Sequence, residues 1–328
     1  MSVITEELEE VQKFLCSNVD GIDIISCHKH LVTIKILKTK HRELTACIQF
    51  PNNYPDAILL VEIKSKVMSP SLMSHINQIC DQELKKFVGQ KQVFQLTKFL
   101  RRFLDENPLL PCRDELTYVK KELIEDGDSL KMKQKQGVIT AEIKQNKYNF
   151  KFTVSVPDKY PVERITIQID HHTFPACMTY YFISQAREFA RQAVEPPLRK
   201  DKKKSEFSPS PHIKKVMEFL IKGCAKRYPL ETCPLCDDLT LPEDPKEIIN
   251  NAKDAKYAER IYCGHLYHHG CLDKYMKTPP FQEGKKCPKC SHRIYHDKWN
   301  INPKLAEDRW AHQEARQREL DEVMDFLS

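Results

Sequence analysis

The chain has 328 residues, 41% of them hydrophobic and 30% charged, with a formal net charge of +6. That length holds two or three domains of ordinary size, and a charge this mild does not argue for nucleic acid as a partner. No apolar run is long enough for a transmembrane helix. The stretch MSVITEELEEVQ is acidic and amphipathic, so no secretory leader is expected.

In chain order, the first helix is expected over Glu6–Cys16, where Leu8, Val11, Phe14 and Leu15 share one face. Strands are expected near Ile22–Ser26 and Leu31–Leu37. Residues 43–63 then read ELTACIQFPNNYPDAILLVEI, an alternating strand, Pro51, a polar turn, Tyr54-Pro55 and a second alternating strand. Proline fixes φ and cannot donate to a ladder, so each one ends a strand and stiffens the turn. The tyrosine ring can cover the sheet end while its hydroxyl finds a backbone partner. Helices follow at 71–88 and 92–105.

The pattern then recurs. A helix is expected over Asp114–Glu125, with Leu116, Val119, Leu123 and Ile124 on one face. Residues 149–169, NFKFTVSVPDKYPVERITIQI, align Pro157 with Pro51, Tyr160 with Tyr54 and Pro161 with Pro55. Helices follow at 178–194 and 211–226. Each unit reads as helix, four-stranded antiparallel meander, helix, helix, an α+β layer with its helices on one sheet face. Between the last two helices, near 196–211, EPPLRKDKKKSEFSPSP is charged and rich in proline. Arg199, Lys200 and Lys202–Lys204 there read as a solvated basic loop ahead of a nuclear import signal.

The repeated unit resembles the RWD domain, a small relative of the ubiquitin-conjugating enzyme fold whose sheet carries a YPxxxP signature. Leu59 and Ile165 stand where the second proline of that signature would fall. The resemblance implies RWD-like domains at 1–108 and 109–228 that bind proteins and lack the catalytic cysteine of their enzyme relatives. Cys47 and Cys177 are accordingly read as small buried hydrophobes.

The C-terminal third carries eight metal-type ligands in one window: Cys233-x2-Cys236, Cys263-x-His265-x2-His268-x2-Cys271 and Cys287-x2-Cys290. A tetrahedral zinc takes four such ligands, so eight make two closed, structural sites. The other seven cysteines (Cys16, Cys27, Cys47, Cys80, Cys112, Cys177, Cys224) are unpaired in spacing and odd in number, which suits a reducing cytoplasmic or nuclear location.

The ligand order is similar to that of a RING finger with two central histidines, spanning about 229–300. The resemblance implies a cross-brace: Cys233, Cys236, His268 and Cys271 on one Zn2+, with Cys263, His265, Cys287 and Cys290 on the other. His269 is the competing ligand, with a spacing to Cys271 that fits the family poorly. A PHD finger would have one central histidine and an aromatic where this chain has Lys285.

RING ligases dock a ubiquitin-conjugating enzyme in a shallow apolar groove, and Leu235, Tyr275 and Pro288 match its contacts. Each also has an ordinary reading, in a knuckle or the core. A basic residue that clamps ubiquitin often follows the eighth ligand; here Ser291 does, and Arg293 is the nearest substitute. Residues 301–328 supply a C-terminal helix, opened by Asn302-Pro303 and carrying Trp310, Leu320, Val323, Met324 and Phe326. It can pack on the RING, dimerise or hold a partner.

The expected whole is two tandem RWD-like domains, a cross-brace RING and a helix, an arrangement similar to the ligase subunit of the Fanconi anaemia core complex. The implied activity is that of a RING-type E3 ubiquitin ligase whose partners are a conjugating enzyme, ubiquitin and a protein substrate. A non-catalytic RWD–RING adaptor is the alternative.

Overall fold

The computed structural model describes residues 3–197, 207–281, 284–295, 299 and 303–327. Arg199, Lys200, Lys202–Lys204 and Asn302 lie outside them. Among the described residues no helix is long and apolar enough to cross a membrane. The chain divides into two compact units: Met1–Glu142 with Lys151–His171 and Tyr181–Leu220, and Ile143–Phe150 with His172–Tyr180 and Ile221–Ser328.

The first layer begins with α1 (Val3–Asn18) and a sheet of β1 (Ile22–His28), β2 (Leu31–Thr39), β3 (Arg42–Gln49) and β4 (Leu60–Lys64). Sheet order follows chain order, and each neighbouring pair is antiparallel. Helices α2 (Pro70–Leu84) and α3 (Val93–Glu106) complete it. Val32, Ile34 and Ile36 alternate inward from β2 and Leu44, Ala46 and Ile48 from β3, meeting Leu72, Ile76 and Cys80 of α2 and Leu96, Leu100 and Leu104 of α3. Period-2 strands against 3.6-period helices therefore form one core. Gly21, at φ +70°, turns α1 into β1 where any Cβ would run into the Leu37 carbonyl.

A second set repeats the order. Helix α4 (Arg113–Tyr118) runs on as a π-helical turn over Val119–Leu123, ahead of β5 (Ser129–Lys133), β6 (Val138–Gln145), β7 (Tyr148–Ser155) and β8 (Thr166–His172). These form a sheet in chain order. Then come α5 (Ala176–Val194) and α6 (Ile213–Glu218), the latter continued as a π-helix over Phe219–Lys226.

Both copies are closed by the same buried hydrogen-bond network. In the first, the Tyr54 hydroxyl donates to the Glu7 carboxylate and accepts the Gln92 backbone N–H at 2.9 Å, while Glu7 accepts the N–H of Val93 at 2.7 Å. In the second, the Tyr160 hydroxyl donates to Glu115 and accepts the N–H groups of His212 and Ile213, while Glu115 accepts that of Lys214 at 2.9 Å. A tyrosine from the turn and a glutamate from the first helix thus satisfy the orphan N–H groups that open the last helix. Burial pushes both carboxyls above their ordinary range, against the pull of these donors. The hydroxyl's partners include a side chain as well as backbone, and neither glutamate stood out in the sequence.

The network also accounts for the two departures from the YPxxxP signature. A proline at 59 or 165 would have no N–H; leucine and isoleucine bring one into the core, where it must be paired. Leu59 donates to Gln92 Oε1 at 3.1 Å, and Ile165 donates to His212 Nε2 at 3.3 Å. Gln92 and His212 hold equivalent places just before α3 and α6.

Two cysteine expectations need correction. Cys47 is half-buried, because it faces away from the helices, between the inward-pointing Ala46 and Ile48. Cys177 is exposed on the first turn of α5.

His212 gives the second layer a pH dependence that the first lacks. Its Nδ1–H lies 3.0 Å from the Ser210 carbonyl, so Nε2 holds the lone pair that Ile165 needs, and burial pushes its pKa below 6.5. A group depressed on folding contributes stability above its unfolded pKa and loses it as pH falls. Thermal unfolding should therefore show a loss as pH falls below 6.5 that is absent in His212→Gln, which copies Gln92. Equal acid sensitivity of the two proteins would count against this network.

Candidate metal centre

The second knuckle repeats the first atom for atom along the backbone. In Cys233-Pro-Leu-Cys236 the N–H of Asp237 donates to the Cys233 carbonyl at 2.8 Å, and the Cys233 N–H to the Asp238 carbonyl at 2.8 Å. In Cys287-Pro-Lys-Cys290 the same bonds run from Ser291 to Cys287 and from Cys287 to His292, each 2.8 Å. Asp237 (φ 63°) and Ser291 (φ 59°) both take the left-handed conformation that lets the chain wrap back around two sulfurs. Bridges Thr232–Leu239 and Lys286–Arg293 close the two loops at the same offset.

The remaining ligands come from a short hairpin and the helix after it. Strands β9 (Ala258–Arg260) and β10 (Leu266–His268) pair antiparallel and lead into α7 (His269–Lys277). Cys263 and His265 sit on the hairpin turn, His268 ends β10, and Cys271 lies in the first turn of α7. Two clusters result: Cys233, Cys236, His268 and Cys271, and Cys263, His265, Cys287 and Cys290. Within each, the ligand atoms all lie within 4.8 Å of one another. The two clusters interleave along the chain, since the second pair of the first cluster falls inside the second cluster.

The donors fit zinc. Four thiolate or imidazole donors at bonds of about 2.0–2.3 Å stand roughly 3.3–3.8 Å apart around a tetrahedral ion. His268 Nδ1 is 3.2 Å from Cys236 Sγ, and His265 Nδ1 is 3.4 Å from both Cys263 Sγ and Cys287 Sγ. His268 Nε2 lies 3.1 Å from the Leu239 carbonyl. A carbonyl only accepts, so Nε2 carries the hydrogen and Nδ1 is left free for a metal.

Burial pushes the thiols of Cys263 and Cys271 up, to about 11 and about 12. At Cys287 burial also pushes upward, but the Tyr267 hydroxyl, 3.0 Å from Sγ, and the knuckle N–H groups outweigh it. A divalent cation supplies the charge that lets such thiols release their protons.

His269 is held elsewhere. Its Nδ1 lies 3.3 Å from Glu259 Oε2, and its ring packs on Trp299 with centroids 5.6 Å apart. The Trp299 indole in turn donates to Asp273 at 2.9 Å. His269 thus ties α7 to its surroundings.

The module's own core is small: Cys233, Ile261, Tyr267, Leu272, Cys287 and Ile294 are buried, with Leu235, Tyr275, Met276 and Trp299 packed against them. Leu235 and Tyr275 therefore share one base. The Tyr275 hydroxyl donates to the Lys286 carbonyl at 3.0 Å, fastening α7 to the second knuckle, on which Pro288 is exposed. Buried Lys285 places its ammonium 4.6 Å from the Tyr275 ring centroid and 5.8 Å from that of Phe281.

Arg293 turns its guanidinium over the Tyr295 ring at 5.2 Å. It lines a cleft of about 930 Å³ between this module and the C-terminal helix α8 (Pro303–Leu327), whose lining includes none of Leu235, Tyr275 and Pro288.

The RWD domain matches residues 3–104, so the first layer is an RWD domain and the chain an RWD-containing protein. No curated protein matches the chain.

Metal analysis of the purified protein should return two zinc ions per chain. His268→Ala should lose one and expose the module to protease, because structural zinc contributes on the order of 10 kcal/mol to folding. His269→Ala should retain both. The reverse pattern would exchange the roles of the two histidines.

Proposed function

We propose that the chain is a RING-type E3 ubiquitin ligase with an RWD domain at 1–108, a second RWD-like domain at 109–228, a RING at 229–300 and a helix at 301–328. The observation that carries the reading is the interleaving of the two four-ligand clusters around one small core that also seats Leu235 and Tyr275. RWD domains belong to the ubiquitin-conjugating enzyme fold, and the repeated Tyr–Glu network supports the second copy.

In this mechanism the zinc ions supply folding free energy and no chemistry. The chain's contribution is to hold a ubiquitin-charged conjugating enzyme on Leu235, Tyr275 and Pro288. A substrate lysine amine attacks the thioester carbonyl, the conjugating enzyme's thiolate leaves, and an isopeptide bond forms. The ligase acts through proximity and selection of a reactive conformer, with no covalent intermediate of its own. The RWD-like domains bring substrate or partners, in the cytoplasm or nucleus.

A specific observation favours the adaptor as the second reading. Ser291 follows the eighth ligand, and Arg293 is engaged with Tyr295 on the wall of the α8 cleft. Docking without strong activation is the consequence of that arrangement.

Discharge of a charged conjugating enzyme onto free lysine separates the two. Across a panel of conjugating enzymes, at least one should discharge faster with the wild type, and Leu235→Ala should weaken its docking roughly 5–30-fold, the range of an interface anchor. Ser291→Arg should raise the discharge rate without changing docking. Docking with no acceleration in either protein would establish the adaptor instead.

A further inference from the structure

Helix α8 is 25 residues long, and every residue from Ala311 to Asp321 is exposed. A helix gains most of its stability from packing an apolar face, so such a length left open on all sides lacks its usual support. Its sequence nonetheless carries a seam. Ala306, Trp310, Gln313, Gln317, Leu320, Met324 and Leu327 recur at alternating steps of four and three. That is the a/d spacing of a coiled coil, with Trp310, Gln317 and Met324 at a, and Gln313 and Leu320 at d.

The seam leaves the module part-way along. Ala306, Trp310 and Gln313 line the cleft beside the second knuckle. Leu320 and Met324, beyond it, are 53% and 68% exposed.

The flanking charges name the occupant. The e positions are Glu307, Glu314 and Asp321, all acidic; the g positions include Arg309 and Arg316. In a parallel pair of helices, g of one chain meets e of the next heptad on the other. Arg309 lines the cleft of its own chain, so beyond the cleft two copies of α8 would set Arg316 against Asp321, twice. An antiparallel pair would oppose arginine to arginine and acid to acid. Among the described residues, Glu314 and Arg316 make no ion pair, and Asp321 accepts a hydrogen bond from Gln317 at 2.9 Å.

We propose that α8 is a parallel homodimerisation helix: a second copy of this chain covers Gln317, Leu320 and Met324, in a register fixed by the Arg316–Asp321 pairs. The two glutamines in the seam weaken the pair and make it sensitive to concentration. Dimerisation would place two metal modules on the same end of the helix pair. None of this depends on the ligase reading.

Sedimentation equilibrium of the full zinc-loaded chain is the test. The mean mass should rise from one chain toward two across the micromolar range. Leu320→Asp with Met324→Asp should hold it at one chain with both zinc ions retained. Arg316→Glu should weaken association roughly fivefold or more, and Arg316→Glu combined with Asp321→Arg should restore it. A wild-type chain that stays monomeric overturns the proposal, as does a dimer indifferent to the Leu320 and Met324 changes. Failure of the charge exchange to restore association overturns the parallel register.

Discussion

To hold a metal ion, four donors must converge on a single point about 2 Å from each, and the C-terminal module brings two such groups together with the chain shared between them. A core cluster as small as that of Cys233, Ile261, Tyr267, Leu272, Cys287 and Ile294 does not fold such a segment alone. The two knuckles solve the local part by the same means: a left-handed residue after the second cysteine and paired backbone hydrogen bonds that aim both sulfurs inward. The hairpin and α7 solve the long-range part, delivering His268 and Cys271 to one cluster while Cys263 and His265 stay with the other. Because the donors interleave, losing either cluster loosens the elements that hold the other. The surface bearing Leu235 and Tyr275 rests on the same core and shares that dependence.

The sheet layers rest on a different economy. Each must bury the start of its last helix beneath a tyrosine-bearing turn, and each does so with a phenol that both donates and accepts and a carboxylate from the first helix. Where the family signature would place a proline, this chain has an N–H to satisfy, and it recruits Gln92 in one layer and His212 in the other. The amide is indifferent to pH; the imidazole accepts only while neutral. One difference between repeats thus converts a passive contact into one that protons oppose. A further tie, Arg42, is buried and reaches both the Leu104 carbonyl at 3.2 Å and Asp158 at 2.9 Å, joining the first sheet to the turn that carries Tyr160.

Around the metal module, aromatic and cationic side chains divide the surface. Lys285 is enclosed by Tyr275 and Phe281, and Arg293 lies on Tyr295. Lys285 and Arg293, close to the second knuckle, are thus committed to rings on their own chain. That commitment, with serine after the eighth ligand, supports the proposed adaptor reading.

Much of this was legible in the sequence, because local rules govern it. Ligand spacing, the Tyr-Pro turns, the alternating strands and the 3.6-period helices each depend on residues close in the chain. The α+β repeat and the two four-ligand groups could be drawn from those spacings and a family resemblance. Tertiary structure decided what distance in sequence hides: Glu7 meeting Tyr54 across 47 residues, Glu115 meeting Lys214 across 99, and Gln92 and His212 answering the missing prolines. It also moved Cys177 to the surface, gave His269 to Glu259, and set Arg293 over the Tyr295 ring. A sequence states which donors and apolar faces a chain possesses. Which buried polar group satisfies which other is settled only when the core closes and every N–H inside it must find an acceptor.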